Sequence, residues 1–184
     1  MKKIFASMMA AAMVVSLAGC SNGNSSESGS SANSEGSSDN AAAYKLGMGV
    51  VTSTASSAAG NAQVDATVAA VILDADGKIV SCAIDVAQNK MDVTDGEVPE
   101  DAASMTFKSK KEKLEEYGMK PASAIGKEWY EHSEGYCSYL KGKTEKEVAD
   151  IPADGSDADL AALCTISINA LQKAAGDAFE NASL

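Results

Sequence analysis

Two runs of alternating residues, separated by a four-residue turn, constrain this chain more than any other feature. Residues 63–73 read QVDATVAAVIL and residues 78–86 read KIVSCAIDV, with Asp74, Ala75, Asp76 and Gly77 between them. Side chains alternate between the two faces of a strand. Val64, Ala66, Val68, Ala70 and Ile72 therefore share one face, expected to be the buried one. In the second run Val80, Cys82, Ile84 and Val86 share a face, with Ser81 and Asp85 opposite. Gly77 can take the positive φ that closes such a turn. The pattern predicts a long antiparallel hairpin with one buried face, on which Cys82 serves as a small core residue. YKLGMGVVTSTAS (44–56), rich in Val, Thr and Gly, reads as a further strand.

The rest of the chain changes period. Residues 87–106 are a polar, acidic connection, and KSKKEKLEEYG is a short charged helix or turn ending at Gly118. Ile125, Trp129, Tyr136 and Leu140 fall at helical spacings, which predicts a helix over about 122–141. Thr144 followed by Glu147 is a capping box, and Pro152 ends that turn of helix. Leu160, Cys164, Ile168, Leu171, Ala175 and Ala178 then keep one face apolar over most of the C-terminal stretch. Strands first and helices later predict an α+β domain, an antiparallel hairpin or meander sheet packed against C-terminal helices.

The N-terminus carries a different signal. Lys2 and Lys3 precede about 16 uncharged residues, short of the roughly 20 a spanning helix needs. The run ends in Leu17-Ala18-Gly19-Cys20, which resembles the lipobox of bacterial lipoproteins. That resemblance implies a signal peptide over residues 1–19 and acylation of Cys20, and hence an extracytoplasmic protein held to the membrane by its lipid. Two or three acyl chains anchor stably, at about 0.8 kcal/mol per buried methylene. Residues 21–40, SNGNSSESGSSANSEGSSDN, contain no large apolar side chain. Such a segment cannot offset its ordering entropy. The lipidated cysteine and residues up to 43 are thus expected to be a disordered tether with a reach of roughly 25 Å, leaving residues 44–184 as one folded domain.

All 15 basic residues are lysine, against 26 acidic ones. Removing Lys2 and Lys3 leaves a charge near −13, which repels nucleic acid and suits a tethered rather than a surface-lying module. Three cysteines remain after Cys20, so one disulfide at most is possible among Cys82, Cys137 and Cys164. Three reduced, buried cysteines is the reading adopted. No Cys-x-x-Cys occurs and His132 is the single histidine, so no zinc constellation is expected. His132 itself reads as exposed on a polar helix face. KGKT (141–144) lacks the glycine and the strand of a phosphate loop. Trp129, Tyr130, Tyr136 and Tyr139 crowd into eleven residues. They either pack on the hairpin or offer a ring on which a planar ligand stacks.

With the hairpin TVAAVILDADGKIVSCAIDV and the stretch DADLAALCTIS in view, the chain resembles the FMN-binding domain family of extracytoplasmic flavoproteins over roughly residues 44–182. Members carry a strand–DGKI–strand hairpin and end with Asp-x-x-Ser-Gly-Ala-Thr before a helix. The resemblance implies FMN as cofactor, extracytoplasmic electron transfer and a membrane redox partner, in a binding or relay module rather than a turnover enzyme. It places Asp159 and Thr165 where the family has its aspartate and flavinylated threonine, with Trp129 as a third site residue. Ala162, Leu163 and Cys164 replace Ser-Gly-Ala, which argues against a covalent link, because glycine allows a close approach that leucine resists. The competing expectation is a non-catalytic surface lipoprotein that binds a solute or another envelope protein without flavin. Cys20→Ser is expected to move the protein from the membrane to the soluble fraction on cell fractionation; retention in the membrane would count against lipidation.

Overall fold

A computed structural model describes residues 43–183. The expected signal segment, Cys20 and the tether up to residue 42 lie outside the described residues. Strands β1 (Lys45–Ser53), β2 (Asn61–Leu73) and β3 (Ile79–Asp92) form one antiparallel sheet in that order. The β2–β3 turn is built as its residues dictate. Gly77 sits at φ +73°, and the Asp74 carboxylate accepts the N–H groups of Asp76 (3.0 Å) and Lys78 (2.9 Å).

The buried parity of β2 is the reverse of the expected one. Thr67, Ala69, Val71 and Leu73 point into the core, while Val64 and Ile72 are exposed. Pairing explains the choice. Thr67, Ala69 and Val71 stand opposite Val86, Ile84 and Cys82, whose side chains face inward, whereas Val68 stands opposite Asp85 and Ile72 opposite Ser81. A register shift next to the turn then buries Ile79 and turns Val80 outward, against expectation. The outer face keeps an apolar row, Leu46, Met48, Val50 and Ile72, of which Leu46 is 62% exposed.

Among the described residues, helices cover only the inner face. A short α1 (Lys110–Lys113) is capped by Ser109, whose hydroxyl accepts the Glu112 N–H. The turn that follows closes on Gly118 at φ +71°. Helix α2 spans Trp129–Leu140 instead of the longer predicted span. Pro121 sits in a single 3-10 turn, Gly126 takes φ +65°, and the Glu131 carboxylate accepts the Glu128 N–H at 2.8 Å to start the helix there. Helix α3 (Glu145–Ala149) opens on the expected Thr144–Glu147 capping box. The C-terminal stripe is split into α4 (Ala158–Ala161), an irregular segment over 162–168, and α5 (Asn169–Glu180). Leu160, Cys164, Ile168, Leu171, Ala175 and Ala178 are all buried, so the stripe marks the core although it is not one helix.

Helix α5 crosses β1 and β2, and α2 lies along β3. Gln172 of α5 ties α3 down, its amide donating to the carbonyls of Val148 (2.7 Å) and Ile151 (2.9 Å). Leu46 and Ser183 exchange backbone hydrogen bonds of 2.9 and 3.1 Å, closing the C-terminal end onto β1. Contact between α5 and β1 depends on two missing side chains: a Cβ on Gly47 would lie 1.8 Å from the Ala178 carbonyl oxygen, and one on Gly49 2.1 Å from that of Ala174. Gly47→Ala should therefore cost about 3 kcal/mol, seen as a lower urea midpoint at unchanged slope. An unchanged midpoint would show that α5 is not seated there.

Candidate functional site

The sheet, the loop after α1 and the start of α5 enclose a cleft of about 570 Å³. Its floor includes Asp65, Thr67 and Val86, one wall holds Lys110, Tyr117 and Trp129, and the other holds Ile166, Ser167 and Asn169 to Leu171. The reversed parity of β2 matters here, because it brings Asp65 and Thr67 to the inner face. Asp65 takes one hydrogen bond, from the Gln63 amide at 2.8 Å, while its buried Oδ1 has no partner. A buried acceptor without a donor is costly unless a ligand or water supplies one. The Lys110 ammonium stands 5.2 Å from the Tyr117 ring centroid and 5.4 Å from that of Trp129.

The N-terminus of α5 forms part of the same cleft. Its N-cap is Ile168, which has no side chain to accept a hydrogen bond, and the first turn holds no acidic residue. Asn169, Ala170 and Leu171 line the cavity, so backbone donors that the helix cannot satisfy lie at its wall. Such an end attracts anions. With Lys110 opposite, the cleft combines positive potential at its rim with an aromatic wall and one orphaned carboxylate oxygen.

The segment entering α5 is fixed by His132, which is fully buried rather than exposed on a polar face. His132 Nδ1 accepts the Thr165 N–H at 3.2 Å, and Nε2 lies 2.9 Å from the Ser123 hydroxyl. An Nδ1 that accepts leaves the ring proton on Nε2, so His132 donates to Ser123. The pair is thus arranged against nucleophile–base chemistry, in which histidine would take the serine proton. Its role is to join the loop before α2 to the loop before α5. Gly135 completes the joint: a Cβ there would lie 2.4 Å from the Leu163 carbonyl oxygen, which also accepts from the Lys127 ammonium at 3.3 Å. Close approach is thus supplied by a glycine on α2, not by one at position 163. Glu128, nearly buried, accepts the N–H groups of Met119 (2.8 Å) and Lys120 (3.1 Å) and fixes the loop that carries Met119 into the cleft.

The three expected site residues are not gathered at one point. Trp129 lines the large cleft but is 3% exposed, with Lys110 over its ring. Thr165 is exposed and borders a smaller neighbouring cavity of about 240 Å³, which shares Ile166 and Ser167 with the large one. Asp159 is exposed on α4 and borders neither cavity. Its neighbour Asp157 borders the smaller cavity and accepts hydrogen bonds from the Leu160 N–H (2.9 Å) and the Tyr139 hydroxyl (2.5 Å). That bond and burial push the Tyr139 hydroxyl up to about 12, and the same bond, with the Leu160 N–H, holds Asp157 below the usual carboxylate range. Asp65, Thr67, Lys110, Tyr117 and the start of α5 were missed. The 129, 132/133, 136/137, 140 stripe, read as one helix face, would have placed His132 inside. Among the described residues no group of three or more His, Cys, Asp or Glu is placed to hold a metal ion, and no helix is long and apolar enough to cross a membrane.

No family model and no solved structure matches the chain. It does match chlorophenol reductase of Desulfitobacterium hafniense, with 39% identity over 104 residues. The chain is distantly similar to a reductase. The match covers 50% of this chain and 32% of that protein, so it spans about a third of the relative's length.

Burial, and secondarily Lys127, hold the His132 imidazole below its ordinary value of 6.5. Below that value the unfolded chain binds a proton that the folded chain refuses, so stability present above it is lost as pH falls. His132→Gln should be less stable than wild type near pH 7.5, with the gap in urea midpoint narrowing toward about pH 5.5. A gap independent of pH would rule out a buried neutral imidazole.

Proposed function

We propose that the domain binds FMN noncovalently in the large cleft and relays electrons on the outer side of a membrane, to which lipidated Cys20 tethers it. The reading rests on one observation: an uncapped helix N-terminus, a lysine, an aromatic wall and an unpartnered buried carboxylate oxygen converge on a single cleft. The residues fit the cofactor part by part. The first turn of α5 and Lys110 would hold the phosphate. Trp129 and Tyr117 would border the ring system, and Asp65 Oδ1 would accept from an N–H of the ligand. When bound, a flavin supplies the electron chemistry, while the protein orients it and excludes water. Similarity to a protein named as a reductase supports redox work over hydrolysis. So does the orientation of the Ser123–His132 pair.

Covalent attachment through Thr165 is the weaker form of the reading. The Thr165 side chain borders the smaller cavity, and Leu163 stands where the family resemblance expects glycine. A second reading, a flavin-free lipoprotein that docks on another envelope protein, is favoured by the exposed apolar row on the outer sheet face.

Trp129 is the single tryptophan, so its fluorescence reports directly on the cleft. FMN should quench it saturably, Asp65→Asn should weaken binding about tenfold, and Thr165→Ala should leave it unchanged. Colour that survives denaturation and disappears in Thr165→Ala would establish the covalent form instead. No response of Trp129 to FMN would remove the flavin reading and leave the docking one.

A further inference from the structure

Helix α2 and strand β3 run alongside each other in a register fixed at two points. At one, the Ser133 hydroxyl donates to the Ile84 carbonyl at 2.7 Å. At the other, just past α2, Gly142 N–H donates to the Ile79 carbonyl (2.8 Å) and Ile79 N–H donates to the Lys143 carbonyl (3.0 Å). Between these anchors the two repeats match. Four helical residues advance about 6 Å, and two strand residues advance about 6.6 Å. A step from Ser133 to Cys137 is therefore paralleled by a step from Ile84 to Cys82. The matched steps set the two cysteines at facing positions on the core side of β3.

Cys82 is half-buried and Cys137 is buried, and Cys82 packs against the core cluster that contains Cys137. Cys164, the third thiol, is buried in the loop before α5, and burial pushes its thiol up. It belongs to the joint under Thr165.

We propose that Cys82 and Cys137 are a reversible dithiol–disulfide pair that staples the edge strand β3 to α2, with Cys164 remaining reduced. The oxidant is a small-molecule disulfide. The more accessible Cys82, as thiolate, attacks one sulfur of oxidised glutathione and releases the first glutathione thiolate. Cys137 then attacks the Cys82 sulfur, forms the internal S–S bond and releases the second. Two protein S–H bonds are lost, one S–S bond forms, and the disulfide consumed is recovered as two glutathione thiols. The step uses no flavin, so its outcome is separate from that of the ligand reading.

The test uses the full chain, purified reduced and incubated with oxidised glutathione. Intact mass should fall by two hydrogens without added glutathione, and a digest under non-reducing conditions should join the Cys82 and Cys137 peptides. Alkylation should then label Cys164 but neither Cys82 nor Cys137, once the chain is unfolded. Cys137→Ala should stop at a glutathione adduct on Cys82, while Cys164→Ala should still form the link. The oxidised protein should unfold at higher urea than the reduced one, and dithiothreitol should reverse the shift. A link that includes Cys164, a wild-type protein that stops at the adduct, or three thiols still free would each overturn the pairing.

Discussion

The contact of α5 with β1 and β2 sets the thickness of the whole domain. Gly47 and Gly49 remove the side chains that would hold the helix away, and the carbonyls of Ala174 and Ala178 occupy the vacated space. Small residues on the helix, Ala174, Ala175 and Ala178, are buried in return. This close seating directs the first turn of α5 over the inner face of the sheet, beside Asp65 and Thr67. A helix carried farther from the sheet by an ordinary side chain would leave the same residues without a shared cavity. The packing of two glycines and three alanines thus positions the uncapped backbone donors of α5 at the wall of the cleft.

A second constraint acts at the segments that lead into α2 and α5. His132, Ser123 and the Thr165 amide connect the segments before α2 and before α5, and Gly135 admits the Leu163 backbone to α2. Both segments border cavities, so the joint fixes the walls as α5 fixes the roof. A neutral imidazole that accepts at one nitrogen and donates at the other can make such a joint without placing a charge in the core.

The turn between β2 and β3 was legible because Asp74 and Gly77 each have a specific task there, and the capping box at Thr144 and Glu147 for the same reason. The inward parity of β2 was not. Val64, Val68 and Ile72 make the outer face as apolar as the inner one, so alternation alone had no preferred answer. Only the partners Cys82, Ile84 and Val86, which are set against polar Ser81 and Asp85, decide it. The apolar stripe from Leu160 to Ala178 marked buried positions without saying how the stretch divides into elements. Spacings of four, four and three from Leu160 to Leu171 satisfy a helix, yet they are also met by a short helix, a loop and a second helix folded over one core. His132 was misplaced because Glu131 and Glu134 flank it in sequence, although both lie outside the buried stripe. The aromatic cluster divides between the two accounts given for it: Tyr136 is core, and Trp129 is core on one side and cleft wall on the other.

The reciprocal bond between Leu46 and Ser183 brings the first strand and the last described residues side by side. A polypeptide entering at β1 and leaving after α5 therefore passes in and out through one edge. Units built this way can be threaded into a larger molecule like a bead, since the flanking sequence need not span the body. The partial overlap with a protein about three times as long as the matched stretch is compatible with such modular use.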